Sequence, residues 1–233
     1  MRALCAAVDG AGLKCAAKEE DIHTNVAPVS RNFGKRVEHV HLKNADYTSV
    51  RFSFDMNMQD LDCRTVDLVY DMLLHGFNSP FFIKMSEERG LFYDITGAVE
   101  RYKNIGVFYF GYELKEKNLY DAVEMSVKIL NDFMNTTYPE NKLMKAGYVD
   151  NAYLLTSDLR DLTFTLAYDN HILCDGYPSL DARRALYEGI TAEEIRAAAR
   201  KIFTLDALTL TVKGNKRKID VKKLEAIIER LGK

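Results

Sequence analysis

The chain has five histidines able to hold a catalytic metal: His23, His39, His41, His75 and His171. Their spacing argues against such a site. A hydrolytic zinc needs three protein ligands and a carboxylate that activates its water. Helical ligand pairs sit at i and i+4, where both imidazoles share one face. No two histidines here are four apart. His39 and His41 are two apart on a strand-like stretch and share a face, but no third ligand is identifiable. His75 precedes Gly76 at the end of a helical pattern, where an imidazole gains from the helix dipole. His171 and Cys174 are three apart, a spacing that makes neighbours on any helix and does not by itself define a nucleophile. The cysteines Cys5, Cys15, Cys63 and Cys174 contain no Cys-x-x-Cys, so neither a zinc ribbon nor a redox pair is expected. They read as reduced thiols of a cytoplasmic protein.

Composition narrows the classes further. Of 233 residues, 47% are hydrophobic and 28% charged, the balance of a globular domain. A chain of this size can bury roughly 70% of its unfolded surface in one core. Lys plus Arg (32) nearly balance Asp plus Glu (34), which gives no pull toward nucleic acid or an anionic membrane. No apolar run approaches the roughly 20 residues that span a bilayer. Met1 to Ala7 is too short an apolar stretch to read as a secretory signal.

The elements that would position any site begin near Lys35. Residues 1–33 read as a lead-in segment or linker, Ala-rich and then rich in Pro, Ser, Asn and Gly, and residues 34–233 as the organised domain. Thr48 to Met56 alternates cleanly, with Val50, Phe52, Phe54 and Met56 on one face and Ser49, Arg51, Ser53 and Asp55 on the other. Arg36 to Lys43 alternates more weakly, and Asn44-Ala45-Asp46 supplies turn chemistry between the two. A helix follows from Asp60 to His75, stopped at Gly76. Ser79 as N-cap, Pro80 at the first helical position and Gly90 as stop delimit a second, short helix. Strands over Tyr93–Arg101 and Ile105–Leu114 are joined through Tyr102-Lys103-Asn104. The second strand is apolar on both faces to Tyr112 and reads as central.

The remainder is mostly helical. Helices are predicted over Asn118–Met134, from Pro139 to Leu173 with a break near Thr156-Ser157-Asp158, over Ser179–Tyr187, over Thr191–Phe203 behind a Thr191/Glu194 capping box, and over Val221–Leu231. A last strand covers Leu208 to Val212 and ends at Gly214. Clustered strands and clustered helices predict an α+β fold with a mostly antiparallel sheet of about five to six strands packed against helices.

The passage Ser79-Pro80 through Glu88-Arg89-Gly90-Leu91-Phe92-Tyr93 resembles the helix-to-strand passage of the insulinase/pitrilysin superfamily of zinc peptidases, in its mitochondrial-processing-peptidase-like form. That family commonly has a helix carrying Arg-Glu-Lys and then Arg-Gly-Leu-Ala-Tyr. The element order and the Leu-Thr-Leu-Thr-Val-Lys-Gly ending extend the resemblance over about Val37 to Gly214. The family's zinc motif, His-x-x-Glu-His, occurs nowhere in the chain. The resemblance therefore implies a non-catalytic lobe or partner subunit, with no cofactor of its own and zinc held by a catalytic partner lobe. Its ligands would be unfolded peptides, with no nucleic acid and no membrane.

Two positions carry the implied substrate role. In catalytic relatives an Arg on the short helix and a Tyr on the next strand reach the scissile carbonyl from the lobe opposite the metal, and two such donors stabilise a developing oxyanion. Tyr93 matches that Tyr. Ser86 stands where the Arg is found, and a serine cannot supply its fixed, charged fork. Lys84 and Arg89 are nearby cations at different helical angles. The superfamily also includes core subunits of respiratory complexes that serve as scaffolds, so a non-proteolytic structural protein of the same fold is the alternative.

Overall fold

The computed structural model describes residues 36–43, 46–92, 94–102, 104–136, 158, 160, 163, 164, 167, 180–215 and 219–233. The chain divides into two units, Met1–Ser30 and Arg31–Lys233, and the described residues all lie in the second. The predicted helical stretch from Pro139 to Leu173 falls almost wholly outside them.

Five strands form one sheet: β1 (Val37–His41), β2 (Thr48–Asn57), β3 (Ile95–Arg101), β4 (Ile105–Leu114) and β5 (Leu208–Gly214), in the order β1-β5-β2-β4-β3. Three of the four ladders are antiparallel, and β1 with β5 is parallel. The fold is α+β. β1 and β2, the two strands expected to be joined through Asn44-Ala45-Asp46, share this sheet but do not pair. β5 lies between them because its Leu-Thr-Leu-Thr-Val alternation offers a fully buried face and two ladder edges, whereas β1 buries only Val37.

Alternation divides the sheet into unlike faces. Phe52, Phe54, Phe108, Phe110, Leu210 and Val212 are fully buried on one side. Phe52 stacks on Phe110 (4.9 Å between centroids), Phe81 meets Phe110 (4.7 Å), and Phe203 closes edge-on against both Phe54 and Phe108 at 5.1 Å. Helices α1 (Cys63–Leu74), α2 (Leu119–Asn135), α3 (Leu180–Gly189), α4 (Ala192–Ile202) and α5 (Val221–Ile228) accompany the sheet, α1 packing on α4 and α2 on both α4 and α5. β4 is an interior strand, as its apolar sequence implies. Its second face, however, is only half-buried at Ile105, Val107 and Tyr109 and at Gly111.

Local chemistry places the helix ends. Asp62 caps α1 by accepting from the Arg64 N–H at 2.8 Å. Thr191 and Glu194 form the capping box of α4. The short helix after Ser79 is capped by the Ser79 hydroxyl, which accepts from the Phe82 N–H. It runs as a π-helix over Phe82–Glu87 rather than as a plain α-helix, with Glu88 N–H bonded five residues back to Ile83. Gly90 (φ +57°) ends it in the left-handed conformation, which only glycine adopts cheaply. The Leu91 N–H then returns to the Met85 carbonyl at 2.9 Å.

Candidate functional site

On the sheet face opposite that phenylalanine core, β2, β3 and β4 shape a groove of about 630 Å³ lined by Tyr47, Ser49, Val50, Arg51, Asp94, Thr96, Tyr109, Gly111, Tyr112 and Glu113. The register explains its depth. Arg51 faces Gly111, and Gly111 faces Thr96 on the other side. A β-carbon on Gly111 would come within 2.7 Å of the Val50 carbonyl oxygen. The floor there is bare main chain, as a glycine inside a strand allows. Val50 and Tyr112 alternate to the helix side, where the Tyr112 hydroxyl meets the Ser126 hydroxyl at 2.9 Å and burial pushes the phenol pKa up.

Polar groups ring that floor. The Ser49 hydroxyl donates to Glu113 Oε1 at 2.8 Å. The Arg51 guanidinium lies 3.8 Å from the centre of the Tyr109 ring, within cation–π range. Asp94 accepts from its neighbour's amide, Ile95 N–H, at 2.9 Å. Thr211 extends the Arg51 row onto β5, and Ser53 and Thr209 continue the polar surface in the next row. Such a face suits contact with water or a polar chain rather than a layer of apolar helix.

The sequence-predicted positions are distributed differently. Ser86 is half-buried in the π-helical turn. Tyr93 lies outside the described residues, as do His23, His171 and Cys174; Asp94, which follows Tyr93, lines the groove. Lys84 is taken up by Asp132 at 3.0 Å, and Arg89 is exposed. His39 and His41 share a strand face with ring centres 6.5 Å apart, but His39 Nε2 donates to the Gly214 carbonyl at 3.3 Å. Among the described residues no three His, Cys, Asp or Glu side chains are grouped as a metal would require, and no helix is long and apolar enough to cross a membrane.

One buried cluster lies on the helix side. Arg101 on β3 donates to Asp67 Oδ1 (2.5 Å) and to the Cys63 carbonyl (2.8 Å), while the Tyr187 hydroxyl donates to Asp67 Oδ2 at 2.9 Å. With every member bonded it ties β3, α1 and α3 together. The β2 alternation puts Ser49 and Arg51 on the face opposite Val50, Phe52 and Phe54 but does not by itself mark a site there. The signal it passed over was Gly111 inside an aromatic strand, which marks close approach of two backbones.

The family model for the peptidase M16 inactive domain matches residues 13–146, more than half of the chain. The chain belongs to the peptidase M16 inactive-domain family. Solved structures agree on the M16 fold at low identity. The first half of the periplasmic protease PqqL from Escherichia coli matches with a TM-score of 0.72 and 16% identity, covering 100% of this chain and 54% of that one. A peptidase M16 inactive domain from Pseudomonas fluorescens matches at 0.66 and 14%, covering 82% and 47%. A chain of complex III2 from Candida albicans matches at 0.64 and 12%, covering 82% and 49%. The chain thus spans about half the length of the structures it resembles. No curated protein matches it significantly.

Proposed function

We propose that this M16 inactive domain is the non-catalytic lobe of a two-lobed zinc-dependent peptidase, closing the chamber in which a metal-bearing partner lobe cuts unfolded peptide. The observation that carries the reading is the inactive-domain family match in a chain that lacks His-x-x-Glu-His. The polar sheet face supports it, because a chamber wall must stay wet and tolerate varied sequences. The groove also runs into β3, an outer strand in the described sheet order. A bound peptide can take main-chain bonds there while its side chains reach Thr96 and Arg51. Tyr93, one residue from groove-lining Asp94, is the residue proposed to reach the scissile region, with Ser86 as an uncharged substitute for the Arg of catalytic relatives.

The test pairs the chain with a lobe that carries the zinc motif. Alone, the chain should retain no stoichiometric zinc after dialysis and turn over no fluorogenic peptide. The assembled pair should cut, and Tyr93→Phe should lower turnover by less than about tenfold without changing stability, since only one hydroxyl is lost. Chelator-sensitive turnover by the isolated chain rejects the proposal. The scaffold reading is favoured by the match to a chain of complex III2. A scaffold should not retain unfolded peptide, so direct peptide binding to the chain decides between the two.

A further inference from the structure

Arg51 is an exposed cation committed to a ring and, among the described residues, to no anion. Its guanidinium rests on Tyr109 at 3.8 Å. The two groove carboxylates are engaged elsewhere, Glu113 by the Ser49 hydroxyl and Asp94 by the Ile95 amide, and no ion pair joins Arg51 to a described acid. Contact with the ring restrains the guanidinium, and among the described residues no acceptor occupies its N–H fork, which can take a carboxylate bidentately. Across the strand stands Gly111, which cannot carry a side chain, so the space beside the fork belongs to the groove.

We infer that Arg51, held over the Tyr109 ring, is a carboxylate subsite, and that the groove selects peptide segments presenting an Asp or Glu side chain or a free C-terminus at that point. The inference rests on the peptide-binding reading above and sharpens it. Glu113 lies one same-face row further along β4, and Asp94, immediately before β3, lines the same groove. Two residues of strand rise put that row roughly 7 Å from Arg51. The two acids repel a second carboxylate and accept N–H donors, so the preferred ligand carries one anionic group followed by main-chain or side-chain donors. Strand alternation in an extended ligand repeats at the same spacing.

The test uses the full chain and fluorescein-labelled unstructured nonapeptides of one sequence. Four versions differ only in one central residue (Glu or Gln) and in the C-terminus (acid or amide). Anisotropy should show the Glu or free-acid forms binding at least about tenfold tighter than the Gln amide, and the two single-carboxylate arms identify which source is read. Arg51→Met, which keeps bulk and loses the fork, should abolish the preference while leaving the Gln amide affinity within about twofold. Lys222→Met, at an exposed position on α5 outside the groove lining, should leave the preference intact. Equal binding of all four peptides, or a preference that survives in Arg51→Met, overturns the subsite while peptide binding stands. No binding of any peptide overturns the peptide-binding reading and the subsite with it.

Discussion

Gly111 and Asp71 show how single residues set limits here, one by space and one by charge. A methyl at Gly111 meets the Val50 carbonyl oxygen at 2.7 Å, and both atoms belong to a paired ladder that cannot yield locally. Gly111→Ala should therefore cost about 1–3 kcal/mol in urea unfolding, as overpacking does, and fill the groove floor beside Arg51. Asp71 on α1 is half-buried, and burial is the main cause of a carboxyl pKa raised from 3.8 to about 6; nearby His75 lowers it and Asp67 raises it. The folded chain then binds more protons than the unfolded one between about pH 4 and 6, so this group's contribution to stability declines as pH rises through that window. Asp71→Asn removes the penalty. It should stabilise the protein at pH 7.5 by on the order of 1 kcal/mol, allowing for the group's partial contact with solvent, and have little effect at pH 4. An equal shift of the urea midpoint at both pH values assigns the effect to packing instead.

At the scale of elements, much was legible because local rules and tertiary structure agree. The β2 alternation, the Ser79 cap, the Gly90 stop and the Thr191/Glu194 box each depend on neighbours within a few residues, and each recurs in the fold. What the sequence left unread depends on distant partners. No local feature of β1 says that β5, near the other end of the chain, fits between it and β2. The groove arises only when β2, β3 and β4 align Arg51, Gly111 and Thr96 in one row. The Arg101–Asp67–Tyr187 cluster is non-local in the same way, since it joins β3 to two helices. Arg101→Met should cost about 3–5 kcal/mol because it strands a buried carboxylate, and the double variant Arg101→Met/Asp67→Leu should recover a large part of that loss. Thermal denaturation of the two variants makes the comparison. A double variant no better than the single one shows that the cluster matters through the Tyr187 bond to α3 rather than through the ion pair.

For the whole molecule, the question is what the polar sheet face meets. A stable interface with another lobe normally has an apolar centre depleted of charge. On its β2–β5 side this face instead presents Ser49, Arg51, Ser53, Thr209, Thr211 and Lys213, the composition of a wall that stays hydrated, and the half-buried Ile105, Val107 and Tyr109 lie on its β4 side. If it lines a chamber, the partner lobe must be held by other surfaces, and charge changes on the face should be felt by substrate rather than by assembly. Lys213→Glu is a suitable probe, since Lys213 is exposed on the face beside Ser49 and pairs with no described acid. Its replacement should leave the dissociation constant of the two lobes within about twofold, because a rim or wall charge contributes at most a few tenths of a kcal/mol to a contact it does not enter. The same change should shift KM for acidic against basic peptides by several-fold in opposite directions, as expected for a charge that acts on ligands across a confined aqueous space. Sedimentation of the mixed lobes and peptide kinetics read the two effects separately. Loss of assembly with unchanged peptide preference makes the sheet face the lobe interface and moves the substrate path elsewhere in the molecule.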